Sequence, residues 1–140
     1  MSRHGELPPG TLSPRATWDW YLERGLLAFQ VDATGVAVFP PRPVAPMNAA
    51  GPLRWKVSKG RGMVYAATFL HGRDTPPRSI ILVDLDEGFR IMSRLEPPIP
   101  AGVDTAAPAE LVGARVRLVP DRSEQRPLPI FELEPSDARE

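Results

Sequence analysis

The sequence predicts a mainly β protein whose carboxyl-terminal part is a small five-stranded barrel. Between residues 61 and 95, three runs rich in β-branched and aromatic residues alternate with turn-forming residues. Two further runs follow at 114–119 and 128–133. Several short strands in one compact stretch are typical of an OB-type barrel. The predicted strands are Met63–Leu70, Ser79–Asp84, Phe89–Leu95, Ala114–Val119 and Leu128–Leu133.

A short helix is predicted ahead of these strands. Ser13 is a good N-cap, Pro14 is favoured at the first helical position, and Gly25 is a plausible stop. The aromatic and apolar side chains of this helix are Trp18, Trp20, Tyr21 and Leu22. So short a helix is unstable alone. We therefore expect its aromatic face to pack, on this chain in preference to another chain.

Residues 26–55 lack the apolar side chains for a core of their own. One strand is expected at Val36–Phe39, and Pro40–Pro43 must be extended because each proline fixes φ and restricts the residue before it. Segments of this kind are usually held by a metal or a disulfide. The chain has no cysteine, which excludes disulfides, thiol catalysis and thiolate metal sites.

Composition limits the classes of partner. The 140 residues carry a formal net charge of +0, which argues against nucleic acid as a ligand. There is no long apolar run and no basic-then-apolar amino terminus, so neither a membrane span nor a secretory signal is expected. The default expectation is a cytoplasmic protein.

The connections of the barrel carry no recognisable catalytic motif. Gly60 and Gly62 are expected to allow a bend or bulge where the chain enters the barrel. His71 is interpreted as a turn residue, and the acidic run from Asp84 to Glu87 as a charged hairpin without calcium-loop spacing. No activated nucleophile is found, so no catalytic residue is predicted. Residues 97–110 form a long connection in which prolines disfavour a helix.

Several segments together resemble one known family. In chain order they are FPPRPVAP (39–46), Trp55, SKGRGMVY (58–65), LVDLDEGFRIMS (82–93), LVGARVRLV (111–119) and LPIF (128–131). The chain resembles acyl-CoA-associated proteins in which a rubredoxin-like zinc ribbon precedes an OB-fold. The resemblance implies residues 1–28 as tail and helix, 29–54 as the ribbon, 55–134 as the OB-fold, and 135–140 as a frayed tail.

The ribbon departs from the family pattern at its metal ligands. Family members carry two Cys-x-x-Cys pairs, and the corresponding positions here are Val31, Thr34, Ala45 and Asn48. Tetrahedral zinc needs four such donors. We therefore expect a degenerate ribbon without zinc, in which Val31 and Ala45 pack where the metal would lie.

The resemblance implies a non-catalytic accessory subunit of a thiolase-like or hotdog-fold enoyl-CoA hydratase-like enzyme, in lipid, steroid, aromatic or polyketide metabolism. In such a role the chain helps to bind an acyl-CoA thioester. Arginines suit CoA phosphates and an apolar groove suits the acyl chain. The candidate ligand-binding residues are Arg61, Arg73 and Arg78 for the phosphates, and Trp55, Tyr65 and Phe69 along a groove. The alternative is a stand-alone binding module for acyl-CoA or single-stranded nucleic acid.

Overall fold

The computed structural model describes residues 13–44, 46–47, 49–121 and 128–135. They divide into two compact units. Unit 1 takes residues within 1–59, 87–89 and 121–128, and unit 2 takes residues within 60–86, 90–120 and 129–140. The described part is mainly β, with one α-helix and two antiparallel sheets.

Unit 1 contains the predicted helix, α1 (Pro14–Leu22). The Ser13 side chain accepts the Ala16 N–H at 3.2 Å, as expected of an N-cap, and the chain turns at Gly25, where φ is +78°. Trp18 is buried and its ring lies 5.3 Å from that of Phe39. The helix therefore packs within unit 1, as predicted.

A three-stranded sheet accompanies this helix. Its strands are β1 (Ala28–Val31), β2 (Ala37–Val38) and β3 (Arg54–Val57), in the order β2-β1-β3. Every residue of the central strand β1 is buried, and Phe29 stacks on Phe89 at 4.7 Å between ring centroids. The expected strand at 36–39 is present as β2, whereas β1 and β3 were not predicted.

Unit 2 is the five-stranded barrel. Its elements are β4 (Arg61–Leu70), β5 (Arg78–Leu85), β6 (Arg90–Ser93), a 3-10 turn (Pro108–Leu111), β7 (Arg115–Val119) and β8 (Ile130–Leu133). The sheet order is β6-β5-β4-β7-β8, and a parallel bridge from Leu95 to Phe131 joins its two ends. Leu95 and Phe131 are fully buried, so the closure lies in the core. The predicted mainly β fold with an OB-type barrel is confirmed.

The entry into the barrel differs in detail from the expectation. The bulge on β4 lies between Val64 and Ala66, at Tyr65, and not at the two glycines. Gly62 serves close approach, because a Cβ there would lie 2.4 Å from the Asp84 carbonyl oxygen. Gly60 has φ of +75°, which favours glycine. Residues 97–110 carry no α-helix, as expected, and residues 136–140 of the predicted tail lie outside the described part.

Candidate functional site

The three arginines predicted to bind phosphate do not converge. Arg61 begins β4 and forms an ion pair with Glu134 at 3.2 Å. Arg78 begins β5 and pairs in register with Leu70, at the other end of β4. A ten-residue strand is about 30 Å long, so Arg61 and Arg78 cannot hold the same phosphate group. Arg73 lies exposed in the β4–β5 turn, near Arg78 in the chain.

The three predicted groove aromatics fall in both units of the chain. Trp55 belongs to β3 of unit 1, where it stacks with Tyr21 at 6.3 Å between ring centroids. Phe69 is buried inside the barrel, whereas Tyr65 is 51% exposed on the outer side of β4. Tyr65 and Phe69 therefore face opposite sides of the sheet. Within unit 2, the barrel does not bring Tyr65 and Phe69 to one groove.

The four positions that correspond to zinc ligands do not fit a zinc site. Val31 is buried in β1, and Thr34 lies exposed in the following turn with its hydroxyl bonded to Asp32 at 2.7 Å. Ala45 and Asn48 lie outside the described residues. Valine has no donor atom, and zinc prefers thiolate or imidazole ligands. Within the described ranges no cluster of three His, Cys, Asp or Glu side chains is placed to hold a metal.

A carboxylate stands beside these positions. Asp32 is only 3% exposed, and its Oδ1 accepts the N–H of Thr34 at 2.9 Å and of Val36 at 3.1 Å. Its Oδ2 accepts the N–H of Ala50 at 3.1 Å. Thr34 and Val36 belong to the first arm of the predicted ribbon, and Ala50 belongs to the second arm, which follows the proline-rich run. These hydrogen bonds lower the pKa of Asp32 from 3.8 to about 2, and the bond from Ala50 has the largest effect. One side chain therefore joins both arms of the predicted ribbon.

Gln30 ties down the proline-rich segment in the same way. Its Nε2 donates to the Arg42 carbonyl at 2.9 Å, and its Oε1 accepts the Arg42 N–H at 2.7 Å. The buried amide thus satisfies both backbone groups of one residue, as a neighbouring strand would. Asp32 and Arg42 also border an open pocket of about 220 Å³, together with Val36, Phe39 and Pro46.

Sequence reasoning did not single out Asp32 or Gln30. A usable signal was present, because Asp32 precedes Thr34-Gly35 and aspartate commonly bonds backbone two residues on in an Asx-turn. The bond to Ala50 is long-range and carries no such local signature.

The acidic hairpin of the barrel is engaged in ion pairs. Asp84 pairs with Arg90, and Asp86 makes two hydrogen bonds to Arg115 at 2.9 and 2.7 Å. The bonds from Arg115 hold the pKa of Asp86 below its usual value. In unit 1, Glu87 accepts from Ser58 Oγ and from the Lys59 N–H, both at 2.8 Å. These bonds agree with a charged hairpin and leave the carboxylates committed to protein partners.

The Arg90 guanidinium also lies flat on Tyr65, 3.4 Å from the ring centroid. Arg90 Nε also donates to Asp84 at 2.6 Å, so one guanidinium contacts both the carboxylate and the ring. This pair was not predicted from the sequence. It places an arginine–tyrosine pair on the outer surface of the barrel.

Comparison with known proteins extends the fold assignment. Residues 55–121 match the family described as ChsH2, C-terminal OB-fold domain. This segment is similar to the ChsH2 C-terminal OB-fold domain. The match begins within β3 of unit 1 and runs through β7 of the barrel.

The similar proteins include a curated relative and a solved structure. The 3-oxo-4,17-pregnadiene-20-carboxyl-CoA hydratase alpha subunit of Mycobacterium tuberculosis (strain ATCC 25618 / H37Rv) is 34% identical over 86 residues, which are 59% of this chain and 28% of the relative. The chain thus spans less than a third of that protein. A solved structure, the Ltp2-ChsH2(DUF35) aldolase, superposes with a TM-score of 0.68 and 23% identity, covering 90% of this chain and 98% of that chain. The latter likeness shows that the fold extends beyond the ChsH2-type segment.

No helix in the described ranges has the length and apolar character needed to span a membrane.

Proposed function

We propose that this chain is a non-catalytic accessory subunit that associates with a thiolase-like or enoyl-CoA hydratase-like enzyme acting on an acyl-CoA thioester. The observation that carries the proposal is the ChsH2 OB-fold match over residues 55–121. The similar hydratase chain is named as an alpha subunit. The similar solved structure is that of the Ltp2-ChsH2(DUF35) aldolase. Both names describe assemblies, which supports a partner enzyme for this chain.

The geometry favours association over catalysis. Asp84 and Asp86 are held by arginines, and Glu87 by Ser58 and Lys59, so these carboxylates are committed to structure.

Part of the proposal is that unit 1 keeps the ribbon path without zinc. Hydrogen bonds within the segment support this part of the proposal. Asp32 bonds to both arms of the segment, and Gln30 bonds to the backbone of Arg42. Charge-assisted bonds to backbone N–H groups are stronger than neutral ones. In this arrangement the carboxylate does the cross-linking that a metal does in a ribbon with cysteines.

The test is purification of the tagged full-length chain from its native host, followed by mass spectrometry of the co-purifying chains. The captured enzyme chain is then co-expressed with this chain, and light scattering on a sizing column gives the stoichiometry. We expect a thiolase-like or hydratase-like chain in fixed ratio, with turnover of an acyl-CoA only in preparations that contain it. A chain that purifies alone, or that turns over acyl-CoA alone, would contradict the proposal.

A further inference from the structure

The outer face of strands β4, β5 and β6 is unusually apolar. In an antiparallel sheet with one face on the core, the other face is normally polar. Here the register aligns Ala66 with Leu82 and Leu82 with Met92, which makes an uncharged row across three strands. The apolar and aromatic residues of this face form what we call the outer stripe: Met63, Tyr65, Ala66, Ile80, Leu82 and Met92. Polar and charged residues of the same face flank them: Thr68, Arg78, Asp84 and Arg90.

Three side chains of the outer stripe are largely exposed to solvent. Met92 is 67% exposed and Met63 is 43% exposed, while Tyr65 stands out at the bulge. Contiguous apolar surface of this kind marks sites of protein interaction more often than isolated exposed residues do. Methionine and tyrosine suit such a surface, because both are enriched at interfaces.

One part of the outer stripe is already ordered. Arg90 is held by Asp84 and lies on the ring of Tyr65, so the aromatic ring and the guanidinium need little further ordering on binding. Tyrosine and arginine are also the residue types that dominate binding energy at interfaces. The Tyr65–Arg90 pair therefore has the character of an anchor.

The charges around the outer stripe are not balanced. At one end Asp84 and Arg90 neutralise each other. At the other end Arg78, which shares a face with Ile80 and Leu82, and Arg73 in the adjoining turn have no ion-pair partner among the described residues. Asp74, in the same turn, is likewise without an ion pair in the described ranges, so two arginines and one carboxylate leave an excess of positive charge at this end.

The distribution of charge around the outer stripe indicates which kind of protein binds there. A second copy of the chain would bring the same excess of positive charge, since Asp74 offsets only one of the two arginines and Asp84 is already paired with Arg90. A different protein with an apolar patch and carboxylates at one end would match both features. We infer that the outer stripe is the docking surface for the partner enzyme, with Arg73 and Arg78 meeting acidic residues of that enzyme. This inference rests on the proposed function.

The experiment measures binding of the co-purified enzyme chain to variants of the full-length protein. Met92→Glu places a charge in the middle of the outer stripe. It is expected to raise the dissociation constant of the complex with the enzyme chain at least about tenfold. Val112→Glu is the matched control, because Val112 is 52% exposed in the same unit but lies outside the stripe. Unfolding midpoints of both variants verify that the barrel is intact.

Photo-cross-linking gives a second readout of the interface that does not require a charged substitution in the outer stripe. A photo-reactive amino acid at position 92 is expected to cross-link to the enzyme chain, whereas the same group at position 112 should not. Arg78→Glu is expected to weaken binding, and that loss should shrink as salt is raised. Titration of the Arg78→Glu variant with coenzyme A separates a phosphate-binding role from a docking role.

The outcomes separate the two proposals. If the wild-type chain captures the enzyme and Met92→Glu captures it equally well, the outer stripe is not the interface although the accessory role stands. Cross-linking of position 92 to a second copy of the chain would overturn the choice of occupant. Loss of coenzyme A binding without loss of enzyme binding in Arg78→Glu would overturn the role given to the arginines. If the wild-type chain captures no such enzyme, both proposals fall.

Discussion

The Ala50 N–H donates to Oδ2 of Asp32 across 3.1 Å, while Oδ1 of the same carboxylate holds the turn at Thr34. Residues 18 positions apart are thus joined through one side chain. A cross-link of this kind depends on a group that accepts hydrogen bonds with both oxygens.

We expect Asp32→Asn to loosen unit 1 locally. The amide nitrogen of asparagine cannot accept a hydrogen bond, so either the Thr34 and Val36 donors or the Ala50 donor loses its partner. Hydrogen exchange at those backbone amides should be at least about tenfold faster. Asp104→Asn is the matched control, because Asp104 accepts the Ala106 N–H in an exposed turn of unit 2. Unchanged protection in Asp32→Asn would contradict the bridging role.

The acid side of the stability profile should depend on the same carboxylate. The pKa of Asp32 is about 2 in the folded chain against an ordinary 3.8, so folding favours its ionised form. That stabilisation is fully present above about pH 4 and is lost as pH falls through about 2. Urea unfolding midpoints measured across this interval should fall with decreasing pH. Asp86, whose pKa is also lowered, contributes in the same direction.

The Asp32→Asn variant isolates the contribution of Asp32. Its midpoints should change less over the same interval than those of the wild-type chain. An identical pH dependence in the two proteins would show that Asp32 titrates normally.

Metal analysis tests the reading of the ribbon positions. The purified wild-type chain is expected to contain no stoichiometric zinc. A variant with Val31→Cys, Thr34→Cys, Ala45→Cys and Asn48→Cys should bind one zinc per chain, since four thiolates meet the tetrahedral requirement. A variant with only the first two changes is the control. Zinc in the wild-type chain, or none in the fourfold variant, would show that these positions are not the family's ligand positions.

Gly62→Ala should destabilise the barrel. The added Cβ would lie 2.4 Å from the Asp84 carbonyl oxygen and 2.8 Å from Val83 Cγ1, so β4 and β5 would have to separate. A cost of about 1–3 kcal/mol in the free energy of unfolding is typical of such overpacking. Thr68→Ala, at an exposed position of the same strand, should change that free energy by less than about 0.5 kcal/mol. Chemical denaturation of both variants makes the comparison.

The barrel was predictable because its signals are local. Val64, Phe69, Ile81 and Val83 fall inside runs bounded by turn residues, and their β-branched and aromatic side chains placed them in strands before any contact was known. The helix followed from Ser13 and the residues after it for the same reason. The bulge at Tyr65 was missed because it depends on the register with β5, which no local pattern encodes.

The site was less predictable because it depends on distance and direction in space. Arg61 and Arg78 look equivalent in the chain, yet the length of β4 separates them. Tyr65 and Phe69 look alike in the sequence, and the bulge sets them on opposite faces. The outer stripe depends on the register of three strands, so its continuity across Ala66, Leu82 and Met92 has no signature in any one segment.

The bridge between Leu95 and Phe131 also bears on how the protein avoids aggregation. Two backbone bonds flank it, from Glu96 N–H to Phe131 O at 2.8 Å and from Phe131 N–H to Arg94 O at 3.1 Å. They pair the two end strands of the sheet with each other, so that these backbone groups are not offered to another molecule. A substitution that opens this seam is therefore expected to yield intermolecular β-pairing and precipitation, beyond a simple loss of stability.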